Sequence, residues 1–221
     1  LIVGKKNIDS LKTIEPEDLL NRNPVALMPR LLNDKLRSST VCVTGAGGSI
    51  GSELCRQIVK MEPNVIILLE HNENSLYNIH SELLEIASNK IAIHPILGSA
   101  CDEKLVQKTF TLFSVDFVFH AAAYKHVPLV EENPIAGIRN NVISTKVICE
   151  CALKNNVKNM ALISTDKAVR PTNIMGASKR LAELIVQAFG EKSRNEYKKD
   201  SGFQKTKFSI VRFGNVLNSS G

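Results

Sequence analysis

Between Ser164 and Arg180 the chain reads STDKAVRPTNIMGASKR. Two hydroxyls (Ser164, Thr165), a carboxyl group (Asp166) and an amine (Lys167) follow directly on the apolar run MALI, and a second amine, Lys179, comes four residues after Met175. Hydroxyl, acid and base side by side are the groups that proton transfer needs. Residues four apart share a helix face, so Met175 stands one turn before Lys179, where a proton-transfer site is expected to carry something that ionises. A thioether moves no proton, so the acid-base work must be done elsewhere. Gly176, inside the same helix, costs about 1 kcal/mol relative to alanine, which makes sense where something approaches closely.

A second group of residues could hold a phosphate. VTGAGGSIG places Gly45, Gly48 and Gly51, with Ser49 and Ile50, between an apolar strand and a helix. Glycines allow a tight turn there and let the backbone approach a pyrophosphate, whose charge then meets the helix N-terminus. Glu70 comes 19 residues after Gly51, at the end of the next apolar run, where a carboxylate can accept hydrogen bonds from the adenosine ribose hydroxyls. That acid favours NAD over NADP, since it would repel a 2′-phosphate, while Arg56 and His71 keep NADP open. In FHAAAYKHVPL the small residues Ala121, Ala122 and Ala123 would let the chain pass close to a flat cofactor, and Tyr124, Lys125 and His126 follow at the carboxyl end of a strand, where open α/β sheets bind ligands. An ordinary helix start fits that stretch equally well. Asn141, on the helix that follows, reads as a surface residue.

Elements of regular length must position these groups. From Thr40 onward short apolar runs near 40–44, 65–69, 91–96, 116–120, 159–163 and 208–212 alternate with helix-period stretches near 50–61, 73–88, 102–111, 133–154 and 174–197. This alternation predicts βαβ units and a parallel sheet, an α/β fold of the Rossmann type, doubly wound with helices on both faces. Residues 1–38, broken by Pro16, Pro24 and Pro29, read as a lead-in segment, and 39–221 as an NAD-binding domain carrying the catalytic strand and helix.

The bulk composition narrows the class. With 221 residues, 43% hydrophobic and 23% charged, the chain matches a soluble globular domain rather than a disordered or fibrous one. It starts at Leu1 and stops after GNVLNSSG, which reads as a piece of something longer. The formal charge of +6 lies largely in Glu191–Lys207 and at Lys5 and Lys6, a solvated helix end and loop with few stacking aromatics, so no nucleic-acid partner is expected. Five cysteines form no CxxC pair, which predicts a reducing, cytoplasmic setting and no metal site. No apolar run approaches the roughly 20 residues needed to span a bilayer, and no signal peptide opens the chain.

Taken together, TGAGGSIG, HAAAYKHVPL, NNVIST, the Ser164–Arg180 stretch and VRFGNVL resemble extended short-chain dehydrogenase/reductases, and within them the CapD-like nucleotide-sugar 4,6-dehydratases of polysaccharide biosynthesis. Most of the superfamily carries Tyr-x-x-x-Lys on the catalytic helix; this chain resembles a branch with methionine in the tyrosine's place, similar to enzymes that keep the C5 configuration of UDP-N-acetylglucosamine. The resemblance implies an NAD cofactor, a UDP-sugar substrate, a homo-oligomer and catalysis by Thr165, Asp166, Lys167 and Lys179. Thr165 would bond the C4 oxygen. Lys167 would be the C5 base if burial and Lys179 lower its pKa, and Asp166 the C6 acid if an apolar site keeps it protonated. Lys179 would hold the nicotinamide ribose and assist C4 deprotonation, and Lys125, His126 and Asn215 would face the sugar nucleotide. Pairing is expected through the helices near 133–154 and 174–197, and membrane contact only through a segment before Leu1, which makes the chain cytoplasmic or the cytoplasmic domain of an inner-membrane protein. The chain departs from the family at Ser99, where an aspartate is common and which leaves Asp102 or backbone groups to meet the adenine, at Asn218, where glycine is common, and in lacking the sugar-nucleotide domain expected after VRFGNVL. A nucleotide-sugar 4-epimerase and a non-catalytic dinucleotide-binding scaffold remain the alternatives.

Overall fold

The computed structural model describes residues 35–199, 205–214 and 216. Six strands, β1 (Thr40–Thr44), β2 (Val65–Glu70), β3 (Ala92–Leu97), β4 (Phe117–His120), β5 (Asn159–Thr165) and β6 (Lys207–Phe213), form one sheet in the order β3-β2-β1-β4-β5-β6. Every pairing is parallel. The order reverses beside β1, so β2 and β4 leave their carboxyl ends on either side of it, and a crevice opens there. The sheet is the doubly wound α/β fold that the strand-helix alternation predicts.

Apolar residues on successive positions of one strand feed both faces. Val41, Val43, Ile66 and Leu68 pack with Cys55, Ile58, Leu76 and Leu83 of helices α1 (Ser49–Val59) and α2 (Glu73–Ile86). Cys42, Ile67 and Leu69 pack with Val106, Phe110, Ile148, Cys149, Ala182 and Val186. Those partners belong to α3 (Glu103–Phe113) and to two later helices, α6 (Ser144–Lys154) and α7 (Ile174–Lys199). Pro95, which has no N–H to donate, sits in the edge strand β3. Residues 1–34 of the lead-in lie outside the described residues.

The stretch expected as one helix over 133–154 is instead three pieces, preceded by a helix that the periodicity does not reveal. After α4 (Val127–Glu132), Asn133 leaves the helical region at φ −129°, ψ 59°, and Pro134 opens α5 (Pro134–Ile138), a first-turn position that suits proline. A π-helical turn, Arg139–Ile143, then leads into α6. The Thr145 hydroxyl donates to the Asn141 carbonyl at 2.8 Å, and the Ser144 hydroxyl donates to the carbonyl of Asn140, bonds that compete with a regular ladder. Strand β5 also runs two residues further than its apolar run. Pairing Ser164 with Arg212 and Thr165 with Phe213 carries it on, so only Asp166–Ala168, a short 3-10 turn, extends past the sheet.

Gly176 is required by that turn. A Cβ at this position would fall on the carbonyl oxygen of Lys167 and lie 3.2 Å from Asn173 Oδ1, so the close approach implied by a glycine inside a helix is that of the turn carrying Asp166 and Lys167. In Gly176→Ala the roughly 1 kcal/mol gained in helix propensity should be outweighed by an overpacking cost of about 1–3 kcal/mol. Urea unfolding should therefore show a net loss of stability, and a gain would refute the close approach.

Candidate active site

The first wall of the crevice is the loop between β1 and α1. Gly45 has φ +64°, and a Cβ there would lie 2.7 Å from the backbone of Ala122, so this loop and the Ala121–Ala123 stretch after β4 pack backbone to backbone. Gly48 is the N-cap of α1 and supplies no side-chain cap to the first turn; a Cβ on it would meet only Gly45 O, at 3.4 Å, with open space beyond. Gly45, Gly48, Ser49, Ile50 and Gly51 line one lobe of the crevice. A glycine face open to solvent before an uncapped helix start fits a pyrophosphate.

Glu70 stands where its spacing predicts but is only 6% exposed. Its Oε1 accepts from His71 N at 2.9 Å and Asn72 N at 3.0 Å and pairs with His71 Nδ1 at 3.0 Å, while Oε2 accepts from Gly47 N at 3.1 Å. The carboxylate braces the glycine loop from behind, and one acceptor position, on Oε2, is left for a ribose hydroxyl. Arg56 is committed to Glu82, at 2.5 and 2.9 Å, and to Glu53, at 3.1 Å. Asp102 caps α3 by accepting from Leu105 N at 3.1 Å, which explains its place in the sequence without an adenine.

The second wall follows β4. Ala121, Ala123, Tyr124, Lys125 and His126 line both lobes. The reading of Asn141 as a surface residue is corrected: it is 1% exposed. Its Oδ1 accepts from Tyr124 N at 2.7 Å, and its Nδ2 donates to Tyr124 O at 3.0 Å and to Ser178 Oγ at 2.9 Å. The π-helical turn displaces this side chain inward, where it ties the β4 loop to α7; helical periodicity alone cannot show such a bulge. Sequence reasoning also passed over His120, the first polar residue at the end of an apolar strand. It is fully buried, 2.6 Å from Thr44 Oγ1 through Nδ1 and 3.2 and 3.3 Å from Thr145 Oγ1 and Ser144 Oγ through Nε2. Burial, and secondarily the charge of Lys179, pushes its pKa down to about 3, so the ring is neutral.

The third wall is the end of β5 with α7. Asn173 accepts from Gly176 N at 2.7 Å and Glu131 of α4 accepts from Ile174 N at 2.5 Å, so two side chains fix where α7 begins. Lys179 is 6% exposed and donates to Ile163 O at 2.6 Å. Burial pushes its pKa down to about 8, partly opposed by Glu183, which makes a neutral amine accessible near physiological pH. Met175, 3% exposed, lines the second lobe with Lys179, Thr165, Lys167, Phe213, Gly214 and Val216. The burial expected for Lys167 is absent, its side chain being 41% exposed, and so is the apolar surround expected for Asp166. Asp166 is exposed at the rim, and the Thr165 hydroxyl at 3.0 Å, with the Lys167 ammonium at 3.5 Å, holds its carboxyl below the usual carboxylate range, because the 3-10 turn carries it past the sheet edge. Asn215 and Asn218 lie outside the described residues.

The geometry therefore brings together Lys125, His126, Thr165, Lys167 and Lys179 in one lobe that continues through Ile50, Ala121 and Ala123 into the glycine-lined one. Asp166 stands at its edge and Glu70 behind the loop. Among the described residues no cluster of three or more His, Cys, Asp or Glu could hold a metal ion, and no helix is long and apolar enough to cross a membrane.

The family described as "Polysaccharide biosynthesis protein" matches residues 41–221. The chain is 45% identical over its whole length to "Capsular polysaccharide biosynthesis protein CapD" of Staphylococcus aureus, of which it spans 35%. It is 30% identical over 82% of its length to "UDP-N-acetylglucosamine 4,6-dehydratase (inverting)" of Campylobacter jejuni, spanning 50% of that protein. Rickettsia proteins named UDP-glucose 4-epimerase are 32% identical over 82% of the chain and are likewise half covered. Among solved structures, "Pen from Bacillus thuringiensis" superposes with a TM-score of 0.73 at 29% identity over 85% of this chain and 55% of that one. The chain thus spans about a third to a half of the length of these relatives.

Asn141 provides a test of the site's framework. Asn141→Leu should destabilise the fold by about 1–3 kcal/mol for each buried polar partner left unpaired, read by urea unfolding, and should speed hydrogen exchange at the Tyr124 amide. Unchanged exchange there would show that Asn141 does not hold the β4 loop.

Proposed function

The chain belongs to the polysaccharide biosynthesis protein family of extended short-chain dehydrogenase/reductases, and from that premise we propose that it is the cofactor-binding part of an NAD-dependent 4,6-dehydratase that converts UDP-N-acetylglucosamine into a UDP-4-keto-6-deoxy sugar. The observation that carries this reading is the second lobe: Met175 occupies the place of an ionisable residue beside a buried Lys179, and Thr165 and Lys167 line the same lobe with Asp166 at its rim. A site that only oxidises and reduces C4 has no use for a second acid-base pair.

Gly45, Gly48, Ser49, Ile50 and Gly51 would hold the dinucleotide's pyrophosphate, Ala121 and Ala123 its flat ring, Lys179 the nicotinamide ribose, and the remaining acceptor position on Glu70 Oε2 the other ribose. Bound there, the nicotinamide supplies a hydride acceptor that serves as the donor later in the cycle. The absence of a free guanidinium at Arg56 favours NAD over NADP.

The residues of the chain handle the protons. Thr165 donates to or accepts from the C4 oxygen, and neutral Lys179 takes the C4 hydroxyl proton, directly or through the threonine. Once C4 is a ketone the C5 hydrogen is acidic, and Lys167 Nζ, in the neutral form of the amine, removes it. Asp166 gives a proton to the C6 oxygen, which leaves as water with formation of a C5–C6 double bond, and as C6 is reduced Lys167 gives its proton back to C5. A bound sugar displaces water from the rim, and that desolvation raises the carboxyl pKa of Asp166 toward the protonated form that the step needs. The relatives named as epimerases favour a second reading, in which C4 is oxidised and reduced and the C6 hydroxyl survives. The free cysteines suit a reducing, cytoplasmic setting under either reading.

Two measurements on the complete protein check the proposal. Lys167→Met should incorporate no deuterium at C5 of the sugar from heavy water, whereas Asp166→Asn should exchange C5 yet release product on the order of 10²–10⁴-fold more slowly, the usual worth of general acid or base assistance; a product that keeps its C6 hydroxyl would decide for the epimerase. Gly48→Val should abolish NAD binding in calorimetry by filling the open face of the loop, and an undiminished affinity would remove the loop from the cofactor site.

A further inference from the structure

Glu183 lines neither lobe of the crevice, and none of its surface is exposed. It lies one helical turn beyond Lys179, on the same face of α7. Four hydrogen bonds meet its carboxylate. Arg212 donates from Nε to Oε1 at 2.7 Å and from Nη2 to Oε2 at 2.6 Å, Arg180 donates from Nη1 to Oε2 at 3.0 Å, and Ser164 donates from Oγ to Oε1 at 2.7 Å. Against burial, which pushes it up, the bonds from Arg212, Ser164 and Arg180 bring its pKa down to about 2. The group is a carboxylate at every pH at which the protein works.

Its donors stand on three different elements. Ser164 is the residue of β5 just before Thr165 and itself lines the second lobe; Arg180 is on α7; Arg212 is on β6, whose continuation, Phe213, Gly214 and Val216, closes that lobe on its far side. A bidentate guanidinium-carboxylate pair fixes both distance and orientation, so the β6 wall is held at a set place relative to Lys179. We infer that Glu183 is a positioning residue of this site, fastening the β6 wall to the catalytic strand and serving as the counter-charge to the Lys179 amine. The inference rests on the reading of this crevice as the active site and extends it to a residue that touches no ligand.

The charged and titratable groups around Lys179 are few enough to give the inference a sign. On its own helix they are Glu183 and Arg180; from β4 comes His120, which is neutral; Tyr124, Lys125, His126 and Lys167 share the lobe, with Asp166, paired to Lys167, at its edge; Arg212 lies behind Glu183. Glu183 opposes the fall in the Lys179 pKa that burial causes. Removing the carboxylate leaves that burial, and the charges of Arg180 and Arg212, unopposed, so Lys179 must lose its proton at lower pH. Removing Arg212 instead leaves the carboxylate less neutralised, and Lys179 must hold its proton to higher pH.

The test is an NMR titration of the complete protein labelled with ¹³C-lysine, in which the Lys179 signal is identified by its loss in Lys179→Met. The wild-type midpoint is expected near pH 8, lower by on the order of one pH unit in Glu183→Gln, higher in Arg212→Met and close to wild type in Glu183→Asp. Opposite shifts in two folded variants cannot come from general loosening. An unchanged midpoint in folded Glu183→Gln, or shifts of the same sign in Glu183→Gln and Arg212→Met, would overturn the inference. The expected shifts in a protein that turns over no UDP-sugar would uphold the role of Glu183 and sink the dehydratase reading alone.

Discussion

The burial of one lysine amine governs much of this structure. Removing an ammonium group from water carries a penalty of several kcal/mol unless its environment compensates, and Lys179 is only 6% exposed. The compensation comes from all sides: the Ile163 carbonyl accepts its hydrogen bond at 2.6 Å, Glu183 provides a negative charge one turn away, and His120 stays neutral rather than adding a second cation. What compensation remains incomplete shows as the lowered pKa. For this to work α7 must lie close against the end of β5, which is why a glycine, Gly176, sits where the Lys167 carbonyl comes in. A lysine tuned by burial in this way is useful chemically because it can release its proton near neutrality.

Around that lysine, buried polar groups hold the loops at the carboxyl edge of the sheet. Thr44 and His120 join β1 to β4 and on to Ser144 and Thr145 of α6, Glu70 braces the glycine loop through Gly47, and Asn141 holds Tyr124 and Ser178. These networks are satisfied and tie regular elements to one another and to the loops between them, the arrangement that rigidifies rather than destabilises. The crevice floor is therefore preorganised. Its rim differs: Asp166 and Lys167 stand exposed on a three-residue turn, open to whatever covers them. A fixed floor and a solvent-sensitive rim suit a reaction in which hydride positioning needs rigidity and the proton steps wait for a substrate to exclude water.

Much of this was legible in the sequence. The alternation of apolar runs with helix-period stretches is a local consequence of which faces must be buried, and it predicted six parallel strands within one or two residues of their ends. The glycine spacing before α1, the methionine in place of an ionisable group and the glycine inside α7 each reflect a requirement at a single position, so each could be read without neighbours. The sequence-level resemblance to extended short-chain dehydrogenase/reductases rests on the same residues and is upheld by the family match over 41–221.

What the tertiary structure alone decided concerns partners far apart in the chain. Asn141 looks like any helical asparagine until a π-helical turn rotates it toward Tyr124, 17 residues earlier. Glu70 has the right position for a ribose, but only the fold shows that it also braces the glycine loop: its Oε1 is taken by neighbouring N–H groups, and its Oε2 accepts from the amide of Gly47, 23 residues before it, with one acceptor position to spare. Asp166 has the right type for an acid but not yet the apolar surround, because the strand before it pairs with β6 for two residues more than its apolar run suggests and the turn that carries it is exposed, so that its role depends on what covers it. Glu183 reads as one more helix carboxylate, and only the arrival of Arg212, 29 residues later, shows that it is buried and charged. Residue type and local spacing specify what a side chain can do; desolvation and hydrogen-bond partners, which depend on the whole fold, decide which of those things it does.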